Sequence, residues 1–202
     1  DPMIWLSTDS GLTSYIAPLR ELELEEGDSI IAQPYPPFSV DEYGIMWISF
    51  EGGYFEAAPS DSSASPIFLF PFEMSRSEIT QTQWSNLTAG VPPPPQQANR
   101  PQNAIDPEAI EGALPPNLHL PLQSEWELTA QGDRLEHHAL YPWTESFPWY
   151  EGPQCDRVNS GQCQRGLRDV CQNALGQSSQ GLCDLGGNIA EWVSSSTDWS
   201  LD

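Results

Sequence analysis

The feature that most restricts the fold is a cluster of four cysteines, which all lie between residues 155 and 183 of the 202-residue chain. An even number of cysteines in a glycine-rich, polar stretch is typical of disulfides formed in an oxidising compartment. Structural zinc is the alternative, but the CxxC spacing typical of zinc sites is missing. Of the three possible pairings we expect Cys155–Cys163 and Cys171–Cys183, because short loops are the easiest to close. The chain is therefore predicted to be secreted, periplasmic or displayed on the cell surface.

The charge of the chain disfavours two classes of partner. Seven basic residues, all of them arginine, face 29 acidic residues, for a net charge of −22. Such a surface repels the phosphates of nucleic acids and of anionic membranes. No apolar run approaches the roughly 18 residues of a membrane helix, so we expect no membrane insertion. Cations are the natural partners of this much carboxylate; the alternative is that the charge only keeps the protein dissolved.

Local patterns predict short strands and helices separated by ordered loops, since the chain has 20 prolines and 15 glycines. The segment "YGIMWISFEGGYFEAAP" predicts two strands joined by a Gly-Gly turn, and "PIFLFPFEMS" predicts a buried strand. A first helix is predicted by the capping box of Thr80 and Gln83. A second is predicted in "IDPEAIEG", with an Asp-Pro start, and a third from near Gln123 to Gln131. A last strand is expected around "AEWVSS".

Four segments of the chain carry motifs that belong together. They are "MWISFEGGYFEAA", "FEMSRSEITQTQW", "HLPLQSEWELTAQGD" followed by "YPW", and "QGLCDLGGNIAEWV". In this order they resemble the G-G-x-F turn, the E-V-T segment, the R-L-P-T-E-A-E-W-E segment and the G-L-Y-D-M-x-G-N-V-W-E-W motif of the sulfatase-modifying-factor family. The best-known member of that family is the formylglycine-generating enzyme. The resemblance predicts a sulfatase-modifying-factor-like domain over residues 45–202, without the usual C-terminal part. Hydrophobic patches separated by turn residues and acids predict a β-rich extension over residues 1–44.

The resemblance implies an α+β fold of the C-type-lectin-like kind, with little regular secondary structure and long loops pinned by structural calcium. It implies a calcium site in which Asp184 and Glu191 donate carboxylates and Gly187 and Ile189 donate main-chain carbonyls. The chemistry of the segment agrees, because Ca²⁺ takes six to eight oxygens and a glycine-rich turn lets carbonyls converge between two carboxylates. The alternative is a tight turn in which Glu191 only caps or pairs.

A second calcium site is implied by the resemblance in the loop before this turn. Its side-chain ligands would be Asn159 and Asp169, and its carbonyl ligands would come from Ser160 and Cys171. The loop is shorter here than in the enzyme, so a solvated loop without a metal is the alternative.

Residues 1–202 lack the cysteine pair that binds copper in the catalytic members of the family. Members that oxidise cysteine to formylglycine hold copper(I) with two cysteines that follow an R-G-G-S-W motif. This sequence has no such motif, no cysteine follows Cys183, and Ala190 replaces the first tryptophan of W-E-W. Because soft thiolates select copper(I), we expect no copper, no catalytic residue and no organic cofactor in this chain.

The function predicted from these features is that of a secreted or cell-surface binding or assembly domain, stabilised by calcium and disulfides and without catalysis. Its partner would be a protein, a glycan, a second copy or a chain that completes the fold. Trp143, Trp149 and Tyr150 are candidate contact aromatics, and the alternative is that they belong to the core. The alternative is the N-terminal part of a copper-dependent formylglycine-generating oxidase, whose catalytic cysteines lie on a missing segment or a partner chain.

Overall fold

Short, mostly antiparallel sheets and short helices alternate with long turns, which makes the fold α+β. The computed structural model describes residues 3–4, 7–8, 38–55, 67–131, 142, 155–163 and 166–194. The strands are β1 Met3–Ile4, β2 Ser7–Thr8, β3 Phe38–Val40, β4 Met46–Phe50, β5 Gly53–Phe55, β6 Ile67–Leu69, β7 Phe72–Ser75 and β8 Glu191–Trp192. The helices are α1 Gln81–Leu87, α2 Pro107–Ala113 and α3 Gln123–Gln131, with 3₁₀ turns at Pro95–Gln97, Gly161–Cys163 and Ala174–Gly176.

A four-stranded antiparallel sheet, in the order β2-β7-β4-β3, separates two apolar clusters. Its inner strands pair Ile48 with Met74. Consecutive residues of a strand point to opposite faces. Trp47 therefore packs on one face with Ile79, while Ile48 packs on the other with Leu182. The sheet therefore lies between the start of the first helix, on one face, and the glycine-rich segment near residue 182, on the other.

Strands from the first eight residues take part in these sheets. β1 pairs with β8 in parallel, and β2 pairs with β7 in antiparallel orientation. β3 is also earlier than residue 45 and pairs with β4. The division into 1–44 and 45–202 stays a prediction, but the described strands of the first part pair with strands of the second.

The helix starts are those that the sequence predicts. Thr80 is the N-cap of α1: its side chain accepts from the Gln83 amide at 3.2 Å, and the Gln83 side chain accepts from the Thr80 amide at 2.9 Å. In α2, Asp106 caps the helix by accepting from the Glu108 amide. α3 spans Gln123–Gln131 as predicted.

The two strands predicted on either side of the Gly52-Gly53 turn are present as β4 and β5, but they do not pair with each other, because β5 pairs with β6. Gly52 has φ +71°, and a Cβ at this position would lie 2.4 Å from the carbonyl oxygen of Leu69. The close approach of the two backbones therefore requires glycine here. The turn consequently leads the chain out of the main sheet and into a separate two-stranded sheet.

The predicted buried strand in "PIFLFPFEMS" is only half right. The segment divides into β6 and β7, and only β7 is buried throughout. Phe68 and Phe70 are 51% and 72% exposed, and they form an aromatic row with the 71% exposed Tyr54. The rings meet edge to face, with centroids 5.2 and 5.4 Å apart. β6 is covered on one face only, where Leu69 packs into the core.

Two disulfides cross-link the irregular region before β8. They join Cys155 to Cys163 and Cys171 to Cys183, which confirms the predicted pairing. The predicted contact aromatics Trp143, Trp149 and Tyr150 lie outside the described residues. Among the described helices, none is long and apolar enough to cross a membrane.

Glu73 places a carboxylate inside the four-stranded sheet, where it is 6% exposed. Its Oε1 accepts from the Ser49 hydroxyl of the neighbouring strand at 3.0 Å. Its Oε2 is buried without a hydrogen-bond partner among the described residues. Burial raises the pKa of Glu73, and the bond from Ser49 opposes the rise.

Replacing Glu73 by glutamine is expected to raise Tm at neutral pH and to change it little near about pH 4. A carboxyl group with a raised folded pKa stabilises the fold below its unfolded pKa, and this contribution is lost as pH rises through the folded pKa. Thermal unfolding followed by circular dichroism over this range measures the difference. Glu51→Gln, at an exposed position after β4, is the control. A Tm difference that does not vary with pH would contradict the assignment.

Candidate metal centre

The turn between Gly181 and Trp192 is anchored to the core at its beginning. Leu182 and Leu185 are buried in the cluster that contains Met74. Between them, the amide of Cys183 donates to the Arg76 carbonyl at 2.8 Å. These contacts fix the backbone on both sides of Asp184, so its carboxylate is held in place by local packing.

The turn uses backbone conformations that few residues adopt. Asp184 and Asn188 have φ of +60° and +58°, and aspartate and asparagine are the non-glycine residues that tolerate this region best. A Cβ at Gly187 would lie 2.6 Å from Cγ2 of Val158 and 3.0 Å from the carbonyl oxygen of Asn159. The close approach of the turn to residues 158–159 therefore requires glycine at position 187, while Asp184 and Asn188 suit its two left-handed positions.

Glu78 is a site residue that the sequence analysis missed. It lies just before α1 and is 0% exposed. Its Oε2 accepts from Nδ2 of Asn188 at 2.9 Å, and its Oε1 is buried without a hydrogen-bond partner among the described residues. The only sequence signal was its place in the E-I-T segment, where an acidic residue next to a helix start is usually a capping residue.

The charges of two neighbouring carboxylates, Asp184 and Glu191, act on Glu78. Burial raises the pKa of Glu78 well above its usual range, the charges of Asp184 and Glu191 raise it further, and the hydrogen bond from Asn188 opposes the rise. Burial also raises the pKa of Asp184, while the Cys171 amide and Arg168 lower it. Desolvated like charges are costly unless a cation or protons neutralise them.

The four residues of the first predicted calcium site lie in this turn. Asp184 accepts from the Cys171 amide through Oδ2 at 2.5 Å. Glu191 accepts a hydrogen bond from the indole N–H of Trp126 on α3. The carbonyl of Gly187 accepts from the Ile189 amide at 2.6 Å. The structure thus brings the predicted residues together and orients both carboxylates through specific donors.

No cluster of three or more acidic, histidine or cysteine side chains in the described part of the chain is arranged to hold a metal by itself. A cation at this turn would therefore take part of its coordination from main-chain and amide oxygens. Ca²⁺ is commonly bound in this mixed way.

The second predicted site is less closely assembled. Asn159 is buried, and its Nδ2 donates to the Gly166 carbonyl at 2.7 Å and to Oδ1 of Asn188 at 3.0 Å. Its Oδ1 is buried and has no partner among the described residues. Ser160 contacts Sγ of Cys163 at 3.5 Å. The other two predicted ligands, Asp169 and Cys171, are half-buried.

An open cavity of about 620 Å³ lies beside both sites. Its walls include Trp126 and Glu127 of α3, Asn159, and residues 187–191. The exposed Ala190, which stands where the resembling motif has tryptophan, lines this cavity. A tryptophan at this position would occupy far more space, so the substitution contributes to the openness of the cavity.

Comparison with known proteins gives one finding. A family model described as "Sulfatase-modifying factor enzyme 1-like domain" matches residues 39–200. The match includes all four motif segments and begins within β3, before residue 45. Neither curated proteins nor solved structures gave a match.

Replacing Glu78 by glutamine is expected to raise Tm in EDTA at neutral pH, since a neutral amide then replaces a carboxylate buried beside two others. The gain is expected to shrink as pH falls towards about 4, where the unfolded carboxyl group is protonated. Thermal unfolding of metal-free protein tests this. Glu111→Gln, at an exposed position of α2, removes the same charge and should leave Tm unchanged. A lower Tm for Glu78→Gln would show that the charged form is stabilised without metal.

Proposed function

Because the chain belongs to the family of sulfatase-modifying factor enzyme 1-like domains, we propose that it is a non-catalytic binding domain stabilised by calcium and disulfides. The proposal includes the C-type-lectin-like form of the α+β fold. It also includes secretion or display at the cell surface, which the two disulfides support. The partner is a protein or a glycan, since a net charge of −22 opposes nucleic acid and anionic membrane.

The observation that carries the calcium proposal is the unpartnered Oε1 of the fully buried Glu78. A buried acceptor of this kind is costly, and the neighbouring Asp184 and Glu191 add repulsion. A divalent cation removes both penalties at once. In the metal site the carboxylates of Asp184 and Glu191 would bind the ion together with the carbonyls of Gly187 and Ile189, and the ion would offset the charge of the neighbouring Glu78.

The donor set favours calcium over softer metals. All the proposed ligand atoms are oxygens, whereas zinc and copper sites are built mainly from nitrogen and sulfur. Cys171 and Cys183, the cysteines next to the site, are joined in a disulfide. Main-chain carbonyls in a flexible, irregular coordination shell suit Ca²⁺ better than Mg²⁺, which demands a regular octahedron.

The second calcium ion is proposed at Asn159 and Asp169, with carbonyls from Ser160 and Cys171. The support is the buried and unpartnered Oδ1 of Asn159. An amide oxygen in this position is an acceptor that a cation would satisfy.

The alternative function is the N-terminal part of a copper-dependent formylglycine-generating oxidase, which the family match favours. In this reading the copper ligands come from elsewhere. The four cysteines of residues 1–202 form two disulfides and so offer no thiolate pair for copper(I).

Calcium is expected to raise Tm relative to EDTA, since at a hundredfold excess over Kd a ligand of the native state adds about 2.7 kcal/mol to the free energy of unfolding. Asp184→Asn keeps the left-handed backbone and an acceptor for the Cys171 amide but removes one ligand charge. It should weaken calcium binding by about tenfold or more, which corresponds to ~1.4 kcal/mol. Calorimetric titration and thermal unfolding measure both effects, with Glu111→Gln as control. No Tm shift, together with no calcium in elemental analysis, would refute the site.

An activity assay separates the non-catalytic proposal from the oxidase alternative. The 202-residue protein, incubated with copper(I), oxygen and a cysteine-containing sulfatase peptide, is expected to leave the cysteine unchanged in mass spectra. Conversion of the cysteine to an aldehyde would overturn the non-catalytic proposal in favour of the oxidase.

A further inference from the structure

Asn188 makes hydrogen bonds to one residue of each proposed cation site. Its Nδ2 donates to Oε2 of Glu78 at 2.9 Å. Its Oδ1 accepts from Nδ2 of Asn159 at 3.0 Å, and its backbone amide donates to the Asn159 carbonyl at 2.8 Å. A single side chain therefore spans the distance between a loop before α1 and the loop that begins at Cys155.

The orientation of the Asn188 amide is fixed by its other partners. Its Oδ1 also accepts from the Arg168 amide at 3.1 Å, and its Nδ2 lies 3.3 Å from the Arg168 carbonyl. Exchanging oxygen and nitrogen would set donors against donors and an amide oxygen against a carbonyl. Asn188 therefore has one arrangement in which all of these groups are satisfied.

The orientation of Asn159 is fixed in the same way. Both acceptors around its Nδ2, the Gly166 carbonyl and Oδ1 of Asn188, require the N–H₂ group to face them. Its oxygen is consequently the atom left without a partner in the described part of the chain. Glu78 shows the same pattern, because Asn188 holds Oε2 and leaves Oε1 unpartnered.

We propose that Asn188 is a positioning residue that couples the two cation sites, so that filling one site raises the affinity of the other. An ion beside Oε1 further restrains the Glu78 carboxylate, and through the hydrogen bonds of Asn188 it reduces the remaining motion of the ligand oxygen of Asn159. The second ion then loses less conformational entropy on binding, which is a recognised source of positive cooperativity. This inference rests on the proposed function, since it requires calcium at both sites.

Cys171 also connects the two cation sites, so Asn188 carries only part of the coupling between them. Its amide donates to Asp184 of the first site, and its carbonyl is a proposed ligand of the second. Its position is already fixed covalently by the disulfide to Cys183. When an ion binds, Cys171 therefore loses less motion than the Asn188 side chain, which only hydrogen bonds hold in place.

The coupling is measured by disabling one site at a time in the full chain. Calcium titration calorimetry of Asp184→Asn, at concentrations too low to fill its weakened first site, reports the affinity of the second site, and Asp169→Asn reports that of the first in the same way. The wild-type protein is expected to bind two ions, each about fivefold or more tightly than in the matching single-site variant. Equal affinities, or weaker binding because the two ions repel, would overturn the inference while leaving the proposed function in place.

Asn188→Gly tests the named residue. Glycine accepts φ +58° and keeps the backbone bond to the Asn159 carbonyl, so the substitution removes the side-chain link together with the side-chain bonds to Arg168. The variant is expected to bind two ions with the coupling factor reduced to less than half. Ala89→Gly is the matched control, because it places glycine at φ +49° at the end of α1 and should leave the coupling unchanged. Full coupling in Asn188→Gly would overturn the role of Asn188.

A second variant approaches the link from the other side. Asn159→Asp keeps the ligand oxygen but replaces the donor to Oδ1 of Asn188 by an acceptor. We expect it to bind calcium with the coupling lost, even though the added charge favours the ion at its own site. Retained coupling would contradict the inference, and it decides the question should Asn188→Gly fail to fold. Binding of no calcium by the wild-type protein would remove the proposed function and the inference with it.

Discussion

The hydrogen bond from Asn188 to the fully buried carboxylate of Glu78 is the interaction on which the rest of the site depends. It connects the start of the helical part of the chain with a turn 110 residues later. A carboxylate is costly to bury, so the surrounding structure is arranged to hold it: a left-handed turn, two anchoring leucines and a disulfide. The structure of this region therefore depends on accommodating a buried carboxylate as much as on apolar packing.

Features set by neighbouring residues could be predicted from the sequence. The capping box at Thr80 and the extent of α3 depend on groups a few residues apart, and the disulfides close short loops. The pairing of β5 with β6 could not be predicted, because it depends on how closely the backbone at Gly52 approaches Leu69. The exposure of Phe68 and Phe70 could not be predicted either, because apolar composition does not reveal which side chains the rest of the fold covers.

The candidate site likewise contains residues that could be predicted from the sequence and one that could not. Asp184, Gly187, Ile189 and Glu191 come together because they are close in sequence and the glycine-rich turn is tight. Glu78 joins them only through tertiary packing, and so it was not among the expected ligands. The family match covers 39–200 and accounts for the motif order, whereas the calcium ions, the fold type and the partner are proposals that rest on the physical arguments above.

The positions of the cysteines have a consequence for how the chain acquires its structure. Cys163 lies eight residues from Cys155, its partner, and equally far along the chain from Cys171. The complete native pairing closes the shorter loops, but for the first bond of Cys163 loop-closure entropy alone does not distinguish Cys155 from Cys171. The choice depends on contacts made elsewhere, such as the Cys183 amide bonding to the Arg76 carbonyl. Oxidative maturation should accordingly pass through thiol–disulfide exchange and finish only after the central sheet has formed.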